Sequence, residues 1–455
     1  MTNRNQRLPA GAIPFTTGDK FQYLQRRSAQ SASEWNVACA LRLQGAVPSA
    51  ADLHTVMADA AERIPALGYR IGGHGRHRYF EPCPDLDVRD HIEEVRYPRG
   101  RAARACLLDA VDRPWPAERT PWSVQIVSGY ADGEYLVVYR VAHLLQDGMA
   151  TAMTAQALLS GQRLPVPVRQ PRTHRDWPGL RDVAAGLSYL PEFFKPAAQW
   201  VPGRSRPDRN DGWVQHVCTL DRALFDDITR CTKARTAQIS LAVLSGALRA
   251  WAPEHWEGSG RLRRHGLPVH LTLSLRDLRE RHGLGNYVGL IPLTLPCGEP
   301  SPAERLQHLM GDADYSRLVR FRRLLMHLHH QRGLIGWTIA SIIKACELPR
   351  LRVTIVPAES DPAAYGAREV LGVLPREARA TAGVLVTPHR STVTVQVCTR
   401  ASISTADRLP DLITASLAEL HEAVTRRCHD SAPAAPPAPR DSAADTTSVV
   451  DRSAS

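Results

Sequence analysis

Strand-like and helix-like segments alternate through both halves of this chain, and the alternation limits the folds that are open to it. In the first half, a β-branched stretch at 134–143 leads directly into a helical stretch at 147–159. In the second half, apolar and polar side chains alternate at 269–275, which is typical of a strand with one buried face. A last helical stretch, at 409–424, keeps its apolar side chains on one face. The pattern predicts mixed α/β layers.

Changes in composition divide the 455 residues into two packed parts and two polar segments. A stretch at 161–211 is rich in proline and arginine and contains one short apolar segment, so it is interpreted as a connector. It separates an N-terminal part, 1–160, from a C-terminal part, 212–428. The last residues, 429–455, are rich in Ala, Pro, Ser and Asp and have little to bury, so we expect a disordered tail.

The charge balance narrows the range of partners. Lys and Arg number 57 against 46 Asp and Glu, which gives a formal net charge of +11. Such a surface attracts nucleic acid, an acidic carrier protein or a small molecule that bears phosphate. Aromatic residues make up only 6% of the chain and do not interleave with its basic run, which disfavours nucleic acid.

Cysteine usage and the apolar runs indicate the compartment. The nine cysteines are scattered and form no Cys-x-x-Cys or Cys/His ligand spacing, so they are interpreted as reduced thiols. The N-terminus lacks the apolar core of a signal peptide, and the longest apolar stretch, from Gly333, is too short to span a bilayer. We expect a soluble cytoplasmic protein without a transmembrane segment. Peripheral contact with a membrane stays open.

One histidine stands between a strand and a helix in the stretch VVYRVAHLLQDGMATAM. His143 ends the strand, Asp147 can cap the next helix, and Gly148 lets another backbone approach closely. A neutral imidazole held in this way can take a proton from a hydroxyl or amine that attacks a carbonyl carbon. The alternative is a polar residue satisfied at a strand end, with Asp147 as a plain helix cap.

Six segments of the chain, in fixed order, carry recognisable motifs. They are HIEEVRYPRG from His91, ERTPWSVQIV from Glu118, AHLLQDG from Ala142, LAVLSGALRAW from Leu241, LSLRDLRERHGLGNYVGLIPLTLP from Leu273 and IVPAESDPAAYGAREVLGVLP from Ile355. These segments resemble motifs of the acyltransferase superfamily that contains chloramphenicol acetyltransferase, peptide-synthetase condensation domains, polyketide-associated acyltransferases and bacterial wax ester synthase/diacylglycerol acyltransferases. The resemblance covers most of 15–425 and is strongest to the last two groups.

The resemblance implies a specific architecture and a specific site. The fold would be α/β, with two chloramphenicol-acetyltransferase-like lobes, mixed sheets and a central tunnel. His143 would be the general base that activates the acceptor and later protonates the departing thiol. Asp147, Gly148 and Arg276 would be structural, with Asp147 paired to Arg276 because a buried guanidinium needs a partner. For Arg276 the alternative is a solvated strand end.

The chain departs from the superfamily pattern at three places. Ala142 stands where a first histidine is common, Ile239-Ser240 replaces an Asn-Asp pair, and Ile355 replaces an Asn. The last two changes remove polar groups near the expected site, so a long-chain alcohol or diacylglycerol acceptor does not follow from the resemblance. Candidates for the tunnel lining are Asn286, Ile355 and Ser240.

The donor is approached through the basic helical stretch from Tyr315. Arg317, Arg320 and Arg323 share it with an apolar stripe and could meet the phosphates of coenzyme A or an acidic acyl carrier protein. The alternative is a solvated basic face. Three histidines follow without Cys or carboxylate partners at ligand spacing, so we expect no metal. They are His327, His329 and His330.

Three functional hypotheses remain open from the sequence. The first is transfer of an acyl group from a coenzyme A or carrier thioester to a hydroxyl of a small molecule, with His143 as base and no further cofactor. The second keeps the chemistry but uses an amine acceptor, as in a free-standing condensation enzyme. The third is a condensation-like module that only recruits a partner.

Overall fold

The structure is a computed structural model, and it describes most of the chain. Part of the predicted connector, at 169–176 and 195–210, and the predicted tail from 431 onward lie outside the described residues. The predicted domain boundaries stay a prediction. The described residues are 8–28, 35–116, 120–168, 177–194, 211–256, 266–277, 280–331, 333–346, 351–358, 360–376 and 382–430.

The strands of the described residues form three sheets. They are β1 (Ile13–Pro14), β2 (Asn36–Gln44), β3 (Tyr69–Gly72), β4 (Tyr79–Pro82), β5 (Ile92–Arg96), β6 (Trp122–Ala131), β7 (Glu134–Ala142), β8 (Trp213–Asp221), β9 (Leu267–Ser274), β10 (Val288–Leu295), β11 (Leu351–Ile355), β12 (Ala367–Val373), β13 (Ala382–Pro388) and β14 (Thr392–Arg400).

The α-helices cover these sheets and flank the space between them. They are α1 (Thr17–Arg26), α2 (Ala50–Arg63), α3 (Ala103–Asp112), α4 (Gly148–Ser160), α5 (Leu180–Leu187), α6 (Leu190–Phe194), α7 (Arg222–Thr232), α8 (Thr236–Trp251), α9 (Pro302–Asp312), α10 (Tyr315–His329), α11 (Gly333–Cys346) and α12 (Leu409–Asp430).

The two large sheets are mixed, which confirms the predicted α/β class. The five-stranded sheet has the order β12-β2-β7-β6-β5, and only its β5–β6 pair is parallel. The six-stranded sheet has the order β10-β9-β11-β13-β14-β8, with β11 parallel to both neighbours. A small antiparallel sheet, β1-β4-β3, lies beside them. Each large sheet forms the centre of one lobe.

The strand-to-helix alternation in the sequence corresponds to elements of the structure. The stretches at 134–143 and 147–159 are β7 and α4, and the alternating stretch at 269–275 is β9. Helix α4 begins where it was expected, because the Asp147 carboxylate accepts a hydrogen bond from the Ala150 N–H at 2.8 Å. Gly161 ends the helix with a φ of 73°, which favours glycine.

One strand from the C-terminal half crosses into the N-terminal sheet, and no local sequence pattern predicts this crossing. Strand β12 pairs antiparallel with β2 and forms an edge of the five-stranded sheet. Two glutamines of the other sheet bind its backbone: Gln215 donates to the Gly372 carbonyl at 2.7 Å, and Gln396 accepts from the Gly372 N–H at 2.9 Å. The two lobes are therefore joined through a shared strand.

Separate apolar cores stabilise the two lobes. The largest packs α8, α9 and α12 against one face of the six-stranded sheet. Its helix α8 is apolar nearly all round and buried along most of its length, as the sequence predicts. The core on one face of the five-stranded sheet joins α3 to residues of β12, including Leu371, which is fully buried.

We predict that Leu371→Ala destabilises the protein by about 2–5 kcal/mol, because truncating a buried leucine leaves a cavity in the core that β12 completes. The measurement is urea denaturation followed by circular dichroism. The matched control is Leu180→Ala in α5, where the side chain is 90% exposed and truncation should leave the midpoint unchanged. Equal midpoints for the two variants would contradict a structural role for the crossing strand.

Candidate active site

His143 follows the last residue of β7 and is held by the segment that precedes β2. Its backbone N–H donates to the Trp35 carbonyl at 2.9 Å. Its imidazole stacks on the Trp35 ring with centroids 6.1 Å apart and an angle of 23° between the planes. The residue is only 7% exposed. Backbone and ring contacts therefore fix the position of the imidazole.

Asn286 determines which imidazole nitrogen carries the proton. Its side-chain Nδ2 donates to the Asp19 carboxylate at 3.2 Å and to the Leu144 carbonyl at 3.1 Å, which fixes the orientation of the amide. The amide Oδ1 then lies 2.8 Å from Nδ1 of His143. Because an amide oxygen only accepts, Nδ1 must donate, and a neutral imidazole keeps its lone pair on Nε2.

Asp19 anchors this arrangement from α1. Its carboxylate accepts from the Asn286 backbone N–H at 2.8 Å and from the Thr16 backbone N–H at 2.8 Å, the latter as part of a capping box. Burial raises the pKa of Asp19, and its hydrogen bonds with Thr16 and Asn286 oppose that effect. Helix α1 is thereby tied to the segment that orients His143.

Burial also lowers the pKa of His143, since the charged imidazolium loses its hydration there. The positive charge of Arg352 lowers this pKa further, whereas Asp147 and the hydrogen bond to Asn286 oppose the shift. The pKa of His143 is therefore lowered overall. His143 is therefore neutral at neutral pH, which is the form that can accept a proton.

Asp147 and Arg276 form the buried ion pair that the resemblance implies. Arg276 Nη2 lies 3.0 Å from Asp147 Oδ2, and the two side chains are 4% and 1% exposed. The same carboxylate accepts from the N–H groups of Ala150 and Tyr287, each at 2.8 Å. Because its oxygens are occupied by these donors, Asp147 supports the site and is not free to act on a substrate. The alternative of a solvated Arg276 is wrong.

Two glycines border this segment in different ways. The expected close backbone approach at Gly148 is wrong, because a Cβ there would meet only Val356 Cγ2, at 3.8 Å. Gly148 instead lines the cavity, so a side chain there would occupy space inside it. The close approach occurs at Gly285, whose φ is 77° and whose N–H donates to the Leu145 carbonyl at 2.8 Å.

A cavity of about 760 Å³ lies between the two lobes and reaches His143. The predicted lining residues Asn286 and Ile355 border it. One wall is the face of the six-stranded sheet that points away from the C-terminal core. The opposite wall consists of apolar side chains of α5, α10 and α11, which include Val183, Leu187, Leu324, Leu325, Leu328, Ile339, Ile342 and Ile343. A volume of this size is typical of ligand sites.

Ser240 does not border the cavity, contrary to the sequence-based expectation. It lies in α8, on the far side of the six-stranded sheet, and its hydroxyl donates to the Thr236 carbonyl at 2.8 Å. Its neighbours are apolar residues of the C-terminal core, including Leu220, Phe225 and Val243. The helix that carries it is buried in that core, so Ser240 lies away from the cavity.

The three basic candidates for donor binding lie on α10, outside the cavity lining of the described residues. Arg317 donates to the hydroxyl and the carbonyl of Ser188, each at 3.0 Å, and covers the Tyr189 ring. It therefore joins α10 to the end of α5. Arg320 and Arg323 are exposed. Their contact with a donor stays a prediction.

Two of the three histidines at the end of α10, His329 and His330, pack against each other with ring centroids 5.3 Å apart. His329 is buried, lines the cavity and lies 5.0 Å from the Tyr287 ring. His327 packs against Trp177. Among the residues that the structure describes, no group of three or more His, Cys, Asp or Glu is arranged to hold a metal ion.

The sequence reasoning missed Asp19, Trp35 and Arg352. Asp19 carries a local signal, since Thr16 followed three residues later by an acidic residue is a capping-box pattern. Nothing local indicates that Trp35 stacks on His143 or that Arg352 lines the same cavity, because both contacts depend on strand pairing. These contacts exist only in the folded protein, so a local sequence pattern does not predict them.

Comparison with known proteins identifies similar acyltransferase sequences. The family model of the wax ester synthase/diacylglycerol acyltransferase catalytic domain matches residues 31–220, which include His143 and Asp147. A Mycobacterium tuberculosis protein named a probable diacylglycerol O-acyltransferase is 24% identical over 332 residues, which cover 64% of this chain and 71% of that protein.

Two solved structures share the fold. The wax ester synthase/diacylglycerol acyltransferase of Marinobacter aquaeolei VT8 superposes with a TM-score of 0.53 at 14% identity, covering 91% of this chain and 100% of that one. The starter condensation domain of rhizomide synthetase, in complex with C8-CoA, gives a TM-score of 0.59 at 13% identity, covering 90% of this chain and 95% of that one.

These two structures show that the chain has the fold shared by condensation domains and a wax ester synthase. In sequence, the chain is an acyltransferase similar to the wax ester synthase/diacylglycerol acyltransferases, as the motifs indicate. This similarity favours an enzyme over a non-catalytic recruiting module. Across the described residues, none of the helices combines the length and apolarity that crossing a bilayer requires.

We predict that Arg276→Met destabilises the protein by about 3–5 kcal/mol, because it leaves the Asp147 carboxylate buried without its charged partner. Urea denaturation measures the change. Arg426→Met is the matched control, since Arg426 pairs with Glu422 on the exposed surface of α12. If both variants unfold at the same urea concentration, the buried pair does not support the site.

Proposed function

We propose that the enzyme transfers an acyl group from a coenzyme A or carrier-protein thioester to a hydroxyl group of a small molecule, with His143 as general base. The observation that carries this proposal is the hydrogen bond from Nδ1 of His143 to Asn286, which leaves Nε2 as the basic nitrogen. The product would be an ester together with a free thiol.

The proposed reaction needs no nucleophile from the protein. The acceptor hydroxyl gives its proton to Nε2 of His143 while its oxygen attacks the thioester carbonyl carbon. The tetrahedral intermediate then expels the thiolate, which takes the proton from the imidazolium. The carbon–sulfur bond breaks, the carbon–oxygen ester bond forms, and His143 returns to its neutral state.

The N-terminus of α4 supports charge stabilisation in this scheme. Gly148 and Met149, its first two residues, line the same cavity as His143. The positive end of a helix dipole favours the negative charge that develops on the carbonyl oxygen. Asp147 caps this helix, but Arg276 neutralises its carboxylate. In this proposal Asp147 and Arg276 are positioning residues.

Two observations support a coenzyme A thioester as donor. The similar starter condensation domain of rhizomide synthetase binds C8-CoA, and the apolar wall of this cavity is suited to an acyl chain. The exposed Arg320 and Arg323 are available for the phosphates or for an acidic carrier protein. No further cofactor enters the proposal.

An amine acceptor is the second candidate. It is favoured by the higher TM-score of the rhizomide synthetase condensation domain, 0.59 against 0.53 for the wax ester synthase. The same base would then accept a proton from the attacking nitrogen. The sequence relatives named for O-acyl transfer favour the hydroxyl. Which product forms, ester or amide, decides between the two.

The first test is thiol release from a panel of acyl-coenzyme A thioesters with pooled alcohols and pooled amines. We expect His143→Ala to lower acceptor-dependent release at least about 100-fold, because general base catalysis is lost. The matched control is His389→Ala, which removes another buried histidine, one hydrogen-bonded to the Ser360 carbonyl outside the cavity lining. Unchanged release by His143→Ala would exclude His143 as the base.

The pH dependence gives an independent prediction. A general base must be neutral, so kcat/KM falls as pH decreases through the pKa of His143. Burial lowers this pKa, so the acidic limb of the profile should have its midpoint below the ordinary histidine value of about 6.5. The midpoint is measured from initial rates between about pH 4 and 9, a range that brackets the ordinary histidine pKa. A midpoint above the ordinary value would contradict a desolvated neutral base.

A further inference from the structure

Three arginines from two elements lie close to the side chain of Tyr23, near the end of α1. Arg26 ends this helix and Arg27 follows it, whereas Arg78 immediately precedes β4. The Cζ atoms of Arg27 and Arg78 are 6.0 and 5.5 Å from the centre of the Tyr23 ring. Burial, and then the like charge of Arg78, lower the pKa of Arg26. We call these three residues the arginine cluster.

No carboxylate of the described residues pairs with the arginine cluster. Within that part of the chain, the guanidinium groups of Arg26, Arg27 and Arg78 form neither an ion pair nor a hydrogen bond. The Nε of Arg78 is buried and has no hydrogen-bond partner there. By contrast, Arg70 on the neighbouring β3 pairs with Glu81 at 2.9 Å. Because like charges repel, a bound anion would stabilise the cluster.

A local structural role accounts for only part of this cluster. Basic side chains at the end of a helix interact favourably with its negative dipole end, which explains Arg26 and Arg27. Arg78 belongs to a different element, and its contact is the ring of Tyr23. A fully solvated surface charge does not describe it either, since its Nε is buried. The position of Arg78 therefore points to a ligand.

The arginine cluster rests on three elements that are tied to one another. The Tyr23 ring meets Trp337 of α11 edge-on, with ring centroids 5.8 Å apart. Trp337 is 7% exposed, and its Nε1 donates to the Arg76 carbonyl at 2.8 Å, in the loop between β3 and β4. Lys344 of α11 donates to Gln25 of α1 at 2.7 Å. The ring of Tyr23 thus has a fixed position against which guanidinium groups can stack.

The two helices that support the cluster also border the cavity that contains His143. Phe21 and Gln22 of α1 line this cavity, as does Ile339 of α11. In a helix, Tyr23 and Arg27 point away from the face that carries these lining residues. The cluster is therefore separated from the cavity by the width of a helix, about 10–12 Å. A ligand of the cluster would lie outside the cavity but near its wall.

From this placement we infer that the arginine cluster binds the phosphate groups of an acyl-coenzyme A donor. The inference rests on the proposed function and specifies its donor. In coenzyme A a long flexible arm separates the sulfur from a diphosphate and a 3′-phosphate, so the phosphates of a donor whose thioester reaches His143 lie at a distance from the base. Guanidinium groups form bidentate hydrogen bonds with phosphate oxygens. The three cations match the several negative charges of this nucleotide.

A small nucleotide fits the cluster better than an acidic carrier protein does. Each partner in a standard protein interface contributes about 800 Å² of surface, whereas the cluster consists of three side chains around one ring. The exposed Arg320 and Arg323 of α10 then remain available for other contacts.

The first test is calorimetric titration of adenosine 3′,5′-bisphosphate, the nucleotide without its arm, into the native enzyme. We expect binding, and we expect the double variant Arg27→Gln/Arg78→Gln to weaken it about tenfold or more, because charged hydrogen bonds are lost. Arg27→Lys/Arg78→Lys should retain part of the affinity. Arg230→Gln, at an exposed ion pair on α7, is the matched control. Equal affinity of the native enzyme and the double glutamine variant would overturn the inference.

Titration of inorganic phosphate and of adenosine separates the possible sources of the anion. We expect both to bind more weakly than the bisphosphate, since each lacks part of the charge or all of it. Inorganic phosphate that binds as tightly as the bisphosphate would show a site for free phosphate and would contradict a nucleotide site. Thermal melting gives the control for folding, because removing two like charges should not lower the melting temperature. A lower melting temperature with unchanged bisphosphate affinity would show a purely structural role.

The second test measures turnover with two donors. The double variant Arg27→Gln/Arg78→Gln should raise KM for an acyl-coenzyme A and leave kcat unchanged, as well as both constants for the acyl N-acetylcysteamine thioester, which has no phosphate. A rise in KM for Arg320→Gln with none for the double variant would assign the phosphates to α10 and overturn the inference. Absence of thiol release with every donor would count against the proposed function, and calorimetry would still decide on nucleotide binding.

Discussion

The ion pair between Asp147 and Arg276 is the interaction on which the geometry of the site depends. Burying two charges is costly, and the cost is offset only because each partner is fully hydrogen-bonded. The carboxylate accepts from Ala150 and Tyr287, and the guanidinium donates to carbonyls such as that of Leu284. The pair therefore fixes the start of α4 against the segment that follows β9, and with it the loop that carries His143.

The Asp147–Arg276 ion pair also helps to orient the groups around His143. Asn286 lies next to Tyr287, so the backbone contact to Asp147 also positions the amide that accepts from His143. Asp19 fixes that amide from a third element, α1. The base is oriented by a neutral amide, not a carboxylate, and burial lowers its pKa although the charge of Asp147 opposes that effect.

The parts of the fold that local patterns encode could be predicted from the sequence, and the parts that depend on pairing could not. The strand-to-helix turn at His143, the alternation in β9 and the apolar helix α8 each have a local signature, and each is present. The motif order also led to the Asp147–Arg276 pair. Ser240 was misplaced because the side of a buried helix that faces a cavity is set by packing. Arg352 was missed because its position depends on the register of β11 with β9.

The most direct test of this account is the tautomer of His143, measured by nitrogen-15 NMR of the histidine side chains. Comparison with His143→Gln assigns the signals of this one residue. The account predicts a neutral ring at neutral pH, with the proton on Nδ1 and an unprotonated Nε2. A ring protonated on Nε2, or a doubly protonated imidazolium, would contradict it, because His143 could then not accept the proton of an acyl acceptor.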